Sequence, residues 1–293
     1  VAATVLLVVI GGSGLAFAWW WARATRASPA SRVGLSSTHV AIGFVTNFFD
    51  TLGIGSFATT TAAYKMLRLV PDELIPGTMI IGHSLPVVFQ ALIFIAVVRV
   101  DQTVLLSLIA ATILGGWLGA GVVTRLPRRP IQIGMGTALL AAAFFMAMSQ
   151  LGLFPEGGTS LGLPPGKLMF AIGVNFVLGA LLMLGIGNYG PCLVLLSLLG
   201  MDPRAAFPIM MGAGALVAMV GGIKFMSAHR YDLRAALGLC VGGIPAVLIA
   251  GLIVKSLPID VLRSLVVCVV VYAAIVMLRS AAAPAAETKA PAS

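Results

Sequence analysis

Apolar residues run along this 293-residue chain in long blocks separated by short polar punctuation. Residues 1–21 form one block, ending in Trp19-Trp20-Trp21 and followed by Arg23, Arg26 and Arg32. Tryptophans closing an apolar run read as an interfacial belt, and arginines behind them as a cytoplasmic anchor, so this span is expected with its N-terminal end outside. A signal peptide has the opposite order, with positive residues ahead of the apolar core. Beyond a polar linker, uninterrupted spans are predicted at about 74–98, 103–123, 131–151, 205–226, 235–254 and 261–278. Each is near or above the ~18–20 residues that cross ~30 Å of hydrocarbon.

Two other blocks, 37–67 and 167–199, are apolar but broken by glycine. The breaks lie in Asn47-Phe48-Phe49-Asp50-Thr51-Leu52-Gly53-Ile54-Gly55-Ser56 and in Leu182-Met183-Leu184-Gly185-Ile186-Gly187-Asn188-Tyr189-Gly190-Pro191. In lipid an interrupted helix leaves backbone groups unpaired, and such breaks survive only where protein or a water-filled cavity satisfies them. The halves that carry them repeat. At an offset of 132, Phe44 matches Phe176, Gly53-Ile54-Gly55 matches Gly185-Ile186-Gly187, Pro76 matches Pro208, Met79 matches Met211 and Gly82 matches Gly214. At an offset of 131, Asp101 matches Asp232 and Leu126-Pro127 matches Leu257-Pro258. Apolar composition alone does not align Gly, Pro and Asp, so the pattern reads as internal duplication. The expected organisation is an N-terminal helix and linker (1–36), a first repeat (37–151), a Gly/Pro-rich connection (152–166), a second repeat (167–279) and a disordered Ala/Pro-rich tail (280–293).

Positive charge discriminates between topologies. If both broken blocks cross fully, 10 of the 18 Lys and Arg residues fall inside and 8 outside, which is hardly a bias. If each dips in and returns on the same side, 13 fall inside and 5 outside (Arg99, Lys167, Arg204, Lys255 and Arg263), as the positive-inside rule expects. Three full spans per half is an odd number, so the second half is then inverted. The expected fold is all-α: a polytopic membrane protein of two inverted repeats, each a glycine-broken re-entrant hairpin plus three transmembrane helices, preceded by one extra span.

Composition agrees. Sixty per cent of residues are hydrophobic, 9% are charged and the mean hydropathy is +1.09, against roughly 25% charged in a soluble domain. The net charge of +9 lies in short loops beside spans and does not indicate nucleic acid. Cys192, Cys240 and Cys268 sit singly in apolar blocks, so no disulfide framework or zinc site is indicated. No H-E-x-x-H, G-x-S-x-G or pair of intramembrane carboxylates is present, which argues against an enzyme, and no cofactor or metal is implied.

The chemistry expected at the breaks is anion binding. A re-entrant hairpin puts the N-terminus of its second half-helix near the midplane, where unpaired N–H groups and the helix dipole attract negative charge. Those ends begin at Ser56-Phe57 and at Asn188-Tyr189-Gly190. Gly53, Gly55, Gly185, Gly187 and Gly190 would admit backbone close to a ligand, and Pro191 suits a first helical turn. Asn47, Thr59, Thr60 and Asn175 are further donors; alternatively they pair helices, and the glycines serve close packing. Asp50 is the one acidic residue inside an apolar block, a candidate to carry a coupling proton or else a brace for the turn. His83 binds anion or relays a proton if it faces a cavity, and otherwise bonds a neighbour.

The repeated glycine motif, the Pro76/Pro208 and Gly82/Gly214 echoes and Gly115-Gly116-x-x-Gly119-Ala120…Leu126-Pro127 resemble the sulfite exporter TauE/SafE-type permeases over about residues 37–279. That resemblance implies an inner-membrane secondary transporter of sulfite, organosulfonate or carboxylate anions, coupled to protons or the membrane potential. The family often places a proline after each glycine-rich run. Here Pro191 fits, whereas Thr59 stands at the matching position of the first repeat. The competing classes are a passive anion channel and an intramembrane enzyme. The topology has a direct test: cysteines placed at Lys65 and Lys224 should label from the same, cytoplasmic face, and labelling from opposite faces would exclude re-entry of the first broken block.

Overall fold

A computed structural model describes residues 2–26, 34–52, 55–153, 155–185, 187–253, 271, 275, 278 and 279. They form ten α-helices: α1 (Ala2–Arg26), α2 (Ser37–Thr51), α3 (Ser56–Leu67), α4 (Ile75–Val97), α5 (Gln102–Val123), α6 (Arg128–Gln150), α7 (Pro165–Leu182), α8 (Tyr189–Leu198), α9 (Ala206–Ser227) and α10 (Leu233–Ile253). Short 3-10 turns, Asp72–Leu74 and Pro203–Ala205, lead into α4 and α9. No β-strand forms among the described residues.

Six helical segments are long and apolar enough to cross a membrane: Ala3–Arg26, Asp72–Val97, Gln102–Val123, Pro165–Leu182, Pro203–Ser227 and Leu233–Gly251. The chain is therefore an all-helical multi-pass membrane protein. Five of the six coincide with expected spans. The sixth, α7, has 18 residues and is the first arm of the second broken block, longer than a half-helix. The expected span at 131–151 is helical as α6 but is not among the six. The expected span at 261–278 lies almost entirely outside the described residues, as does the tail.

Helix starts follow local chemistry. Asp101 caps α5 by accepting the Val104 N–H at 3.0 Å, and Asp232 caps α10 by accepting the Ala235 N–H at 2.8 Å. A cap carboxylate satisfies an N–H that has no intrahelical partner. The two aspartates are the pair matched between the halves, and they perform the same task. Pro76 and Pro208, another matched pair, both sit in the first turn of their helices, where proline costs no hydrogen bond.

The packing carries the same correspondence. α4 and α9 lie antiparallel at the centre, with Gly77 against Phe225 at one end and Gly212 against Ile95 at the other. α2 packs along α10 as α7 packs along α5, and α4 meets α10 as α9 meets α5. Each half thus lends its first helix to a late helix of the other. Lipid supplies no hydrophobic force between helices, so association depends on close backbone approach at small residues. On the α5–α7 seam, Gly115 faces the Phe176 carbonyl, Gly119 faces Ala180 and Gly179 faces Thr112. Gly43, Gly238 and Gly242 make the matching seam between α2 and α10.

The seam gives a paired test on one helix. A side chain at Gly179 would run into the Thr112 backbone, whereas one at Gly173 meets nothing within 4 Å. Gly179→Leu should destabilise the purified protein by about 1–3 kcal/mol or more, the usual cost of overpacking, and Gly173→Leu should leave its thermal unfolding unchanged.

Candidate functional site

The two glycine breaks are chain reversals. In the first, three contacts join α2 to α3 from tip to base. Asp50 Oδ1 accepts the Ser56 N–H at 2.8 Å across the break. One turn back on either arm, Asn47 Oδ1 and the Thr60 hydroxyl each lie 3.0 Å from a ring nitrogen of His83 on α4. At the far ends, the His39 and Tyr64 rings meet edge to face with centroids 5.7 Å apart. A continuous helix would hold residues 47 and 60 about 20 Å apart, too far for one imidazole to bridge. Gly55 has φ +89°, a left-handed conformation that side-chain-bearing residues rarely adopt. Gly53 lies outside the described residues.

The hydrogen-bond chain sets the state of His83. Asn47 Nδ2 donates to the Gly43 carbonyl at 2.7 Å, which turns the amide oxygen toward His83 Nδ1. Nδ1 therefore carries the proton, and Nε2 accepts from the Thr60 hydroxyl. His83, Asn47 and Thr60 are all fully buried. The imidazole is a strut clamping both arms of the hairpin to α4, with Phe57 packed against its ring at 5.7 Å.

Asp50 terminates a second network. Its Oδ2 accepts from Gln90 Nε2 at 3.0 Å, and the same amide group donates to the Thr51 hydroxyl oxygen at 3.0 Å. Thr51 in turn donates to the Asn47 carbonyl at 2.9 Å. Among the described residues no Lys or Arg forms an ion pair with Asp50. The N-terminus of α3, expected to receive a ligand at Ser56-Phe57, is thus met by an internal carboxylate. Thr59 turns its hydroxyl back to the Gly55 and Ser56 carbonyls.

The second reversal is built differently. At its base Lys167 Nζ donates to the Leu199 carbonyl at 2.9 Å, joining the start of α7 to the end of α8. Midway, the Cys192 thiol donates to Asn175 Oδ1 at 3.6 Å. Gly185 has φ +92° at the turn. α8 begins at Asn188 with no side-chain cap, and Pro191 occupies its first turn. The glycines differ in role. A side chain on Gly190 would collide with Phe145 of α6, so this glycine serves packing; around Gly187 nothing lies within 4 Å. Tyr189 packs edge-on to Phe207 at 5.7 Å.

Two elements bring the reversals together. Met79 of α4 accepts from the Thr61 hydroxyl at 3.1 Å, and its methyl group lies 3.2 Å from where a Cβ on Gly185 would stand. α6 lines both second arms, packing Leu139 and Ala143 on Ala58 and Ala62 of α3 and Phe145 on Gly190 of α8. The base of the first hairpin is tied to α6 through Asp72, which takes Lys65 at 2.7 Å, Gln132 at 2.6 Å and Arg128 at 3.3 Å. Gln90, Met79 and Phe145 escaped sequence reasoning. Gln90 had a signal, an amide in mid-span, whereas Met79 and Phe145 are indistinguishable from packing. Among the described residues no group of three or more His, Cys, Asp or Glu could hold a metal.

Compared with protein families, curated proteins and solved structures, the chain matches none. The resemblance to the sulfite exporter family therefore rests on the repeated motifs alone.

The strut predicts a measurable loss. His83→Phe keeps a planar ring but strands the Asn47 amide oxygen and the Thr60 hydroxyl. At about 1–3 kcal/mol for each stranded buried group, unfolding stability should fall by roughly 2–6 kcal/mol, with faster hydrogen exchange at the start of α3. A fall under about 0.5 kcal/mol would mean the imidazole holds nothing.

Proposed function

We propose that this protein is a secondary transporter that moves a small sulfur-containing or carboxylate anion, of the sulfite and organosulfonate class, across a bacterial inner membrane. The observation that carries this reading is the pair of glycine-hinged reversals, both packed against apolar helices and joined through Met79. Irregular backbone at membrane depth is tolerated where it lines a site, and paired breaks in the two halves of a transporter mark the binding site.

The proposed architecture is two inverted repeats with re-entrant hairpins, N-terminus outside and C-terminus inside. The first hairpin has its base beside the start of α10, where Tyr64 reaches the Ala235 carbonyl, and the start of α4 joins the same end through Thr78 and the Asp232 N–H. The second has its base beside the 3-10 turn before α9, where the Asp202 N–H meets the Ser160 carbonyl; next to it the Asp101 N–H meets the Leu161 carbonyl. Between those ends runs α4, 23 residues or about 34 Å. This arrangement supports entry of the hairpins from opposite faces, as does the distribution of positive charge.

In this reading the anion lies between Gly55-Ser56-Phe57 and Asn188-Tyr189-Gly190, held by backbone N–H groups. Gly55 and Gly187 leave room for it, since a side chain at either position would meet nothing within 4 Å among the described residues. The start of α8, where the Asn188 side chain makes no cap hydrogen bond, supplies the positive end of a helix dipole, and no buried Lys or Arg is required.

Purified protein in liposomes should carry isethionate or sulfite with saturable kinetics, and unsaturable flux would mark a channel instead. Gly187→Val points a side chain into the open space without disturbing packing, so it should abolish binding while leaving thermal unfolding unchanged. A well-folded Gly187→Val protein with wild-type affinity would falsify this placement.

A further inference from the structure

One carboxylate already sits where a helix N-terminus should await its ligand. Asp50 takes the Ser56 N–H at 2.8 Å and the Gln90 amide N–H at 3.0 Å, the donor types that would hold an oxyanion. α3 has 12 residues, long enough for its dipole to be felt at that end. Around the carboxylate, two buried polar groups are left over. The Ser56 hydroxyl, on a residue 1% exposed, is beside Asp50 but makes no hydrogen bond of ordinary geometry among the described residues. Gln90, fully buried, has an amide oxygen with no partner among the described residues. Buried polar groups are normally satisfied, and orphans of this kind mark a place that something else fills.

Among the described residues no other charge compensates Asp50. The titratable or charged groups on the elements packed against α2 are Tyr64 and Lys65 on α3, His83 on α4, and Arg234 and Cys240 on α10. Tyr64 and Lys65 belong to the base of the hairpin, Arg234 to the first turn of α10, and His83 is engaged by Asn47 and Thr60. None of them bonds Asp50.

Resting on the transporter reading above, we propose that Asp50 is a tethered competitor for the transported anion: it occupies the α3 half of the site when substrate is absent and yields that half only on taking a proton from the aqueous phase. Two negative charges cannot share one set of donors in a medium of low dielectric, so one of them must be neutralised. An incoming sulfonate then takes over the Ser56 N–H and the Gln90 amide, and the free Ser56 hydroxyl adds a third donor. One anion enters with one proton. For a singly charged sulfonate the loaded carrier has the same net charge as the empty one, so the translocating step moves no net charge and a pH gradient drives it.

Isethionate is the probe, because a sulfonate stays ionised across the working range and contributes no proton of its own. In wild-type protein the dissociation constant should rise about tenfold per pH unit above the titration of Asp50, with close to one proton taken up per anion bound. Proteoliposome flux should follow the pH gradient and ignore an imposed potential. Asp50→Asn should bind isethionate with no pH dependence, and its flux should become sensitive to potential. A pH-independent affinity without proton uptake in wild-type protein, which needs no variant to observe, would overturn the proposal while leaving the transporter reading standing. So would a pH slope retained in Asp50→Asn. Absence of isethionate and sulfite binding at every pH would sink the transporter reading and this inference together.

Discussion

Every backbone N–H and C=O inside a membrane must find a partner, and this constraint shapes the rest of the molecule. Continuous helices meet it without help. The two interrupted blocks cannot, so side chains make up the difference: Asp50 accepts the Ser56 N–H, and the Thr59 hydroxyl donates to the Gly55 carbonyl. The small residues along the seams serve a separate need, the close backbone approach on which helix association in lipid depends.

Much of this was legible in the chain. Long apolar blocks announced the helices, and the matched positions of the halves pointed to shared tasks. Asp101 and Asp232 do cap equivalent helices, and Pro76 and Pro208 do open them. These signals are readable because capping and first-turn proline are local, decided within a few residues. The polar contacts of the candidate site are not local. Asn47 and His83 are 36 positions apart and Gln90 and Asp50 are 40, so no spacing rule joins them. Expectation also treated all the glycines of the breaks alike. Their roles differ because the neighbours differ: Gly190 is pressed by Phe145 of another helix, and Gly187 faces open space.

The two broken blocks differ in their polar contacts. The first hairpin is braced by His83 and closed by Asp50, whereas the second has a thiol-to-amide contact and an uncapped helix start. The proline expected in both is present only as Pro191, and Thr59 in its place turns its hydroxyl back onto the turn. In the transporter reading proposed above, divergent polar content would let one half hold a ligand while the other senses it, which two identical halves would not do.

The exchange of first helices between halves bears on how the chain is made. Gly43 of α2 packs on Leu239 of α10, and about two-thirds of the 293-residue chain is synthesised between those two residues. The polar tip of the first hairpin meets its partners early, on α3 and α4, but its glycine seam has no partner until α10 is made. Long-range pairing of this kind is slow and exposes the chain to wrong partners in the interval. A premature stop anywhere before α10 would not yield a working half but an orphan hairpin, the kind of species that membrane quality control removes.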